Sequence, residues 1–206
     1  MIRDPKDLQR YSASERANHW LTGICFILLG LSGLAFFHPL FWPLTNLFGG
    51  GTWARILHPF LGVAMAVLFL SMFLRFRALN VMTATDHEWL NRVKEMVDGN
   101  DENMPEQGKY NGGQKMAFWG IAVCMLLLLA SGIVLWRTYF DFAVGMVRVG
   151  AVMHAVAAAV MIAAVTVHVY AGIWVKGTIR AMWYGTVTRA WARQHHRAWY
   201  RQVTGK

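Results

Sequence analysis

The chain has 206 residues, of which 56% are hydrophobic and 15% are charged. This composition is too apolar for a typical soluble domain and indicates one compact membrane domain. The formal net charge of +9 would suit nucleic-acid binding, but most of the basic residues lie beside long apolar runs, where they record membrane topology instead. The two cysteines lie outside any C-x-x-C pattern, which argues against iron–sulfur clusters, structural zinc and covalently attached haem.

Four apolar runs are each long enough to cross a bilayer core, which requires about 20 helical residues. They cover about 19–37, 57–74, 116–136 and 149–175. Unpaired backbone groups are not tolerated in lipid, so each run must be helical. We therefore predict an all-α integral membrane four-helix bundle that forms a single domain over residues 1–206. The polar stretch 86–104 between the second and third runs has the character of a short surface helix.

The positive charges predict the orientation of the chain. The amino-terminal segment, the loop 75–115 and the tail 176–206 share one side of the membrane and hold 17 of the 20 Lys and Arg residues. Only Arg55, Arg137 and Arg148 fall on the other side. Because basic residues are enriched on the cytoplasmic side, we expect both termini to be cytoplasmic in a bacterial inner membrane. The first run lacks a small-residue cleavage site and is expected to be a retained span.

Four of the eight histidines fall in or at the ends of these spans, where ionisable side chains are rare and are paired or liganded. His154 and His168 are 14 residues apart on the fourth span. In a helix this separation corresponds to a rise of about 21 Å and leaves both side chains on nearly the same face. Two metal ligands on one face at different depths indicate two stacked haems.

The depths of the spans assign the partners. His58 and His154 lie toward the outer side, whereas His19 and His168 lie toward the cytoplasm, so each leaflet has one imidazole pair. An iron with two axial imidazoles has no open position and favours electron transfer. The competing interpretation is a set of buried imidazoles bonded to hydroxyls or carbonyls; a shared zinc is disfavoured because the pairs are too far apart. The other histidines are expected to be solvated or interfacial: His38, His87, His195 and His196.

At this point the sequence resembles a known family. The segments ERANHW around His19 and LHPFLG around His58, the pair His154 and His168, and the loop KYNGGQK together resemble the cytochrome b gamma subunit of respiratory formate dehydrogenases. The resemblance covers nearly the whole chain. It implies the di-haem cytochrome b fold, with the outer haem b on His58 and His154 and the inner haem b on His19 and His168, which is the pairing that depth suggests.

The resemblance also implies a menaquinone site near the inner haem. Asn111 and Gly113 of the loop, together with His168, are expected close to the quinone. The neighbouring Gly112 would allow close backbone approach, and Gln114 offers hydrogen bonds. From the residues alone, this segment is equally a polar turn that enters a helix.

The partners follow from the same resemblance. A catalytic alpha subunit would oxidise formate, and an iron–sulfur beta subunit would pass the electrons to the outer haem. The family also implies that three of these heterotrimers can assemble as a trimer. Besides these subunits, the partners are membrane lipids and quinone, and no formate-oxidising site is expected in this chain. Three alternatives remain: the cytochrome of a nickel–iron hydrogenase or thiosulfate reductase, a non-haem transporter with a histidine proton relay, and a structural anchor. The spans contain no Asp or Glu, which disfavours the relay.

Overall fold

The computed structural model describes residues 6–99 and 104–205. Its first half contains β1 (Leu8–Gln9), α1 (Ala13–Phe37), a 3-10 helix (Pro39–Phe48), α2 (Gly51–Phe76), a second 3-10 helix (Arg77–Asn80), α3 (Ala84–Asn91) and α4 (Val93–Val97). Its second half contains α5 (Gly112–Leu135), α6 (Val144–Trp174), α7 (Thr178–Tyr184), β2 (Thr186–Val187), α8 (Arg189–His195) and α9 (Arg197–Thr204).

Four of these helices are long and apolar enough to cross a membrane. Helices α1, α2, α5 and α6 contain 25, 26, 24 and 31 residues. Helices α1 and α2 cover their apolar runs completely, and α5 and α6 each end one residue before the end of theirs. The prediction of an all-α four-helix membrane protein is confirmed. Helix α1 begins in the polar segment before its apolar run because Ser12 and Glu15 form a capping box, in which the Ser12 hydroxyl accepts from the Glu15 amide and the Glu15 carboxylate accepts from the Ser12 amide.

The chain divides into two compact units. The helical unit comprises residues 17–73 and 121–166. Within it, all four long helices contribute side chains to one apolar cluster. The buried members of this cluster are Met65, Phe69, Cys124, Met125 and Met161.

The terminal unit comprises residues 1–16, 74–120 and 167–206. Strands β1 and β2 pair antiparallel in it, with Leu8 opposite Val187. Val187 belongs to an apolar core with the large rings of α8 and α9, and Leu8 packs against that core. The segment predicted as a basic tail is therefore folded, and the start of the chain packs against its end.

His196 lies in this terminal unit, and the expectation that it is solvated is wrong. Its side chain is 2% exposed. The ring Nδ1 donates a hydrogen bond of 2.7 Å to the Gly108 carbonyl, and Nε2 lies 3.3 Å from Nη2 of Arg10. Of the other histidines in that group, His38 and His87 are exposed, and His195 is partly exposed.

The predicted surface helix over 86–104 is interrupted. Helix α3 ends at Asn91, and the short helix α4 ends at Val97. Thr83 and Asp86 cap the start of α3, the Asp86 carboxylate accepting from both the backbone amide and the hydroxyl of Thr83. Residues 100–103 of the predicted segment lie outside the described residues.

Candidate functional site

The two outer histidines face each other in the helical unit. His58 lies on α2 and His154 lies on α6, and their ring centres are 6.3 Å apart. With metal–nitrogen bonds of about 2.1 Å and a ring centre about 1.1 Å behind each nitrogen, two imidazoles on opposite sides of one metal have centres about 6.4 Å apart. The observed spacing therefore matches two axial ligands of a single iron.

A buried serine contacts the Nδ1 atom of each of these rings. Ser32 Oγ lies 2.7 Å from Nδ1 of His58, and Ser131 Oγ lies 2.9 Å from Nδ1 of His154. Both serines are 0% exposed. Among the described residues, the hydrogen bond of the His58 ring is made through Nδ1, which leaves its Nε2 available to a metal. The His154 ring is contacted at Nδ1 by Ser131 and also bonds the backbone carbonyl of Leu128.

Two glycines leave space beside the rings. A Cβ atom at Gly33 would lie 3.6 Å from Cε1 of His58, and one at Gly132 would lie 3.6 Å from Cε1 of His154. Each glycine directly follows the serine that contacts the same ring. The spacing of the two imidazoles and the two glycines beside them fit a flat, iron-containing macrocycle held between helices.

The inner histidines lie on the same helices as this site. His19 is on α1, and His168 is on α6 together with His154. Along α1, His19 precedes Gly33 by 14 residues. This separation corresponds to a rise of about 21 Å and leaves both residues on nearly one face. His19 therefore lies about as far from the His58–His154 pair along the helices as a second haem would require. The pairing of His19 with His168 stays a prediction.

The loop residues Asn111 and Gln114 form a capping box at the start of α5. The Gln114 amide donates to Asn111 Oδ1 over 2.9 Å, and the Asn111 amide donates to Gln114 Oε1 over 3.1 Å. Both side-chain oxygens are thus engaged in starting the helix. The side-chain NH₂ groups are what these residues offer to a ligand.

The glycines of this loop are required by close packing in the terminal unit. A Cβ atom at Gly112 would lie 2.6 Å from the Asp86 carbonyl oxygen, and one at Gly113 would lie 3.0 Å from the Trp89 ring. Only residues without a side chain allow the start of α5 to approach α3 so closely. Packing therefore accounts for both glycines, and the predicted contact of Gly113 with quinone stays a prediction.

A buried ion pair fixes the same two helices. Lys115 Nζ of α5 lies 2.7 Å from the carboxylate of Asp86 in α3 and donates to the Val81 carbonyl over 3.1 Å. Burial alone raises the pKa of Asp86, but hydrogen bonds from Lys115 and Thr83 outweigh it and hold this pKa below its ordinary value. The carboxylate is thus ionised and paired at neutral pH.

Sequence analysis did not single out Ser32 or Ser131. A signal was present in the sequence, because both serines belong to a Ser-Gly dipeptide inside an apolar span, LSGL in the first and ASGI in the third. A hydroxyl followed by a glycine, repeated in two spans, places a hydrogen-bonding group beside a gap in the helix surface.

Comparison with known proteins identifies the family. Residues 10–185 match the family described as prokaryotic cytochrome b561. The chain is 44% identical over 175 residues to the formate dehydrogenase cytochrome b556(fdo) subunit of Escherichia coli K12, covering 84% of this chain and 82% of that protein. It is 42% identical over 179 residues to the nitrate-inducible formate dehydrogenase cytochrome b556(Fdn) subunit of the same organism, covering 86% and 82%. A formate dehydrogenase cytochrome b556 subunit of Haemophilus influenzae is 38% identical over 175 residues, covering 84% and 74%.

A cytochrome family of this type implies haem b, and the outer histidine pair has the spacing and the available nitrogens that haem iron requires. The chain therefore belongs to the prokaryotic cytochrome b561 family and, within it, to the cytochrome b subunits of formate dehydrogenases.

Proposed function

We propose that this protein anchors a formate dehydrogenase complex in the bacterial inner membrane and carries electrons from a periplasmic iron–sulfur subunit to menaquinone at the cytoplasmic side. Its partners are then a catalytic alpha subunit and an iron–sulfur beta subunit, assembled as a heterotrimer that can itself form trimers. The basic residues put both termini in the cytoplasm. The observation that carries the proposal is the pair of facing imidazoles 6.3 Å apart in a chain of this family.

The proposed ligands are His58 and His154 at the outer level and His19 and His168 at the inner level. Two b haems, when bound, supply one-electron carriers at two depths. Two histidines at each level would supply both protein ligands of one iron, an arrangement that would suit electron transfer and would disfavour oxygen chemistry. Met65, two turns along α2 from His58, belongs to the apolar cluster of the helical unit, so the proposed ligands lie in an apolar part of the protein.

The proposed quinone site uses Asn111, Gly113, Gln114 and His168. Because the side-chain oxygens of Asn111 and Gln114 are engaged in the capping box, their NH₂ groups are the donors available to a quinone carbonyl. Gly113 would permit close approach of the backbone. His168 would contact the quinone and also bind the inner haem.

The decisive experiment is purification of the complex with its partner subunits, followed by haem quantification and reduction with formate. We expect a b-type optical spectrum, about two haems per chain and full reduction of both by formate. The His58→Ala variant should lose one haem, whereas the exposed His87→Ala should lose none. A folded complex without haem would contradict the proposal, and copurification with hydrogenase or thiosulfate reductase subunits would reassign the partner.

The quinone site can be tested without breaking the helix cap. In Asn111→Asp the new carboxylate still accepts from the backbone N–H of Gln114, because Asp and Asn cap helices equally well. The substitution removes the side-chain NH₂ group of Asn111, which is the proposed donor to the quinone. We expect menaquinone reduction to fall while both haems remain reducible by formate. Asn111→Ala, which also loses the cap, serves as the comparison. Unchanged menaquinone reduction in Asn111→Asp would exclude the amide as a quinone ligand.

A further inference from the structure

We propose that Ser32 and Ser131 are positioning residues that fix the tautomer and orientation of the two outer histidines and thereby lower the reduction potential of the haem they hold. The inference rests on the proposed function in taking His58 and His154 as haem ligands. It goes beyond that function because it assigns a role to two residues that do not themselves touch iron.

The direction of the hydrogen bond follows from the proton count at Ser32. Its hydroxyl has one proton, and we assign this proton to the Leu28 carbonyl, which lies 2.8 Å away and can only accept. The contact of 2.7 Å with His58 therefore runs from Nδ1–H to the serine oxygen. With the proton held on Nδ1, the lone pair of the neutral ring is on Nε2, where a metal binds.

The same arrangement occurs independently at the facing ring. The Ser131 hydroxyl donates to the Leu127 carbonyl over 2.6 Å, and its oxygen lies 2.9 Å from Nδ1 of His154. The two serines are on different helices, and each bonds the carbonyl four residues earlier. A hydroxyl that bonds its own helix in this way needs no histidine, since Thr166 donates to the Ile162 carbonyl and contacts no histidine ring within the described part of the chain. Two such hydroxyls, each on the Nδ1 of one of two facing rings, indicate a function at those rings.

The expected consequence is electronic as well as geometric. Hydrogen bonding of Nδ1–H to an acceptor raises the basicity of a metal-bound imidazole and fixes its orientation. A more basic ligand stabilises ferric iron relative to ferrous iron. Removal of the serine oxygen should therefore raise the reduction potential of the outer haem.

The test is a redox titration of the intact complex with Ser32→Ala, Ser131→Ala and the double variant. The outer haem is identified as the component that His58→Ala removes. A tenfold weaker preference for ferric iron corresponds to an upward shift of about 59 mV for one electron, and we expect a shift of this order, larger in the double variant. The ferric electron paramagnetic resonance signal of the outer haem should change as the rings gain freedom to rotate. Thr166→Ala, which removes a back-bonded hydroxyl away from the histidine pair, should leave both readouts unchanged.

The outcomes separate this inference from the function on which it rests. If the wild-type complex contains no haem, the proposed function fails. If the wild type contains both haems and the alanine variants keep its potentials and resonance signal, only the inference is overturned. If an alanine variant loses the outer haem, the Ser→Thr variant at that position, which keeps the hydroxyl, should restore haem and potential. Failure of the threonine variant to do so would overturn the inference as well.

Discussion

The outer histidine pair and His196 show two ways in which this chain holds an imidazole inside the protein. His196 is more deeply buried than His58 or His154, which are only partly buried. Both nitrogens of His196 have protein partners, the Gly108 carbonyl and Arg10. In the His58–His154 pair, a serine contacts Nδ1 of each ring, the His154 ring also bonds the Leu128 carbonyl, and the two ring centres are 6.3 Å apart. Burial alone therefore does not distinguish the two cases, and the proposed ligand role of His58 and His154 rests on their mutual distance and on the partners of their ring nitrogens.

The charge near His196 is held by aromatic rings and a backbone carbonyl, although Nη1 of Arg10 is buried without a hydrogen-bond partner among the described residues. The Arg10 guanidinium lies 4.9 Å from the ring centres of both Trp191 and Trp199 and donates to the Lys109 carbonyl. Aromatic faces stabilise a cation in such a position. Burial and the neighbouring Arg10 charge lower the pKa of His196 to about 3. The His196 cluster is therefore a structural core that joins the two ends of the chain.

The largest difference between the His58–His154 pair and the His196 cluster is expected when one histidine is removed from each. His154→Ala should reduce the haem content from about two to about one per chain, because an axial ligand is lost. His196→Ala should keep both haems and cost about 1–3 kcal/mol of stability, since it strands buried hydrogen-bonding partners. Haem quantification and thermal denaturation of the purified complex measure the two effects. A loss of haem in His196→Ala with none in His154→Ala would reverse the assignment.

A second variant tests whether the terminal unit depends on satisfied charges. Lys115→Met would leave the Asp86 carboxylate, which is 2% exposed, without its ionic partner. Removing one partner of a buried ion pair costs about 3–5 kcal/mol. The control is Arg92→Met, because the Arg92–Glu88 pair has side chains that are 40% and 53% exposed; an exposed helical pair contributes only about 0.3–0.5 kcal/mol. Thermal denaturation should show a much larger loss of stability in Lys115→Met than in Arg92→Met. Equally small losses of stability would show that the Lys115–Asp86 pair is not needed for stability.

The low pKa of His196 predicts how stability depends on pH. At pH 7 the ring is neutral in both the folded and the unfolded chain. In the unfolded chain, His196 binds a proton as the pH falls below its ordinary pKa of 6.5. In the folded chain, it binds a proton only as the pH approaches about 3. Because the unfolded state then binds more protons, stability falls with falling pH, by about 1.4 kcal/mol per unit from this group.

The measurement compares the wild type with His196→Gln at pH 6.5 and pH 5. The wild type should lose about 2 kcal/mol more than the variant over this interval, because only the wild type carries the titrating ring. Other acidic groups contribute to both proteins and cancel in the difference. Parallel pH profiles would show that His196 keeps its ordinary pKa in the folded protein.

The sequence was sufficient to predict the four long helices, because a hydrocarbon core imposes both their length and their apolar character. It was insufficient for Ser32 and Ser131, since a serine that bonds its own helix is unremarkable until a histidine from another helix is placed beside it. His196 was misjudged for a similar reason. Its sequence neighbours are polar, and its burial arises from Arg10 and Gly108, which are far away along the chain and linked to it by no periodic pattern.

The smallest expected effect concerns the glycines beside the outer rings. In Gly33→Ala and Gly132→Ala the new Cβ would lie 3.6 Å from the neighbouring imidazole, which is ordinary van der Waals contact, so the polypeptide alone should tolerate either change. Alanine also stabilises a helix interior by about 0.5–1 kcal/mol relative to glycine. Any weakening of haem binding in these variants would therefore report on space that the macrocycle needs. We expect faster transfer of the outer haem to an excess of apomyoglobin, with the fold retained. Gly145→Ala on α6, where a Cβ meets no atom within 4 Å, should transfer haem at the wild-type rate. If all three variants retain haem equally, Gly33 and Gly132 serve helix packing, and only the imidazoles and their serines distinguish this region from the His196 cluster.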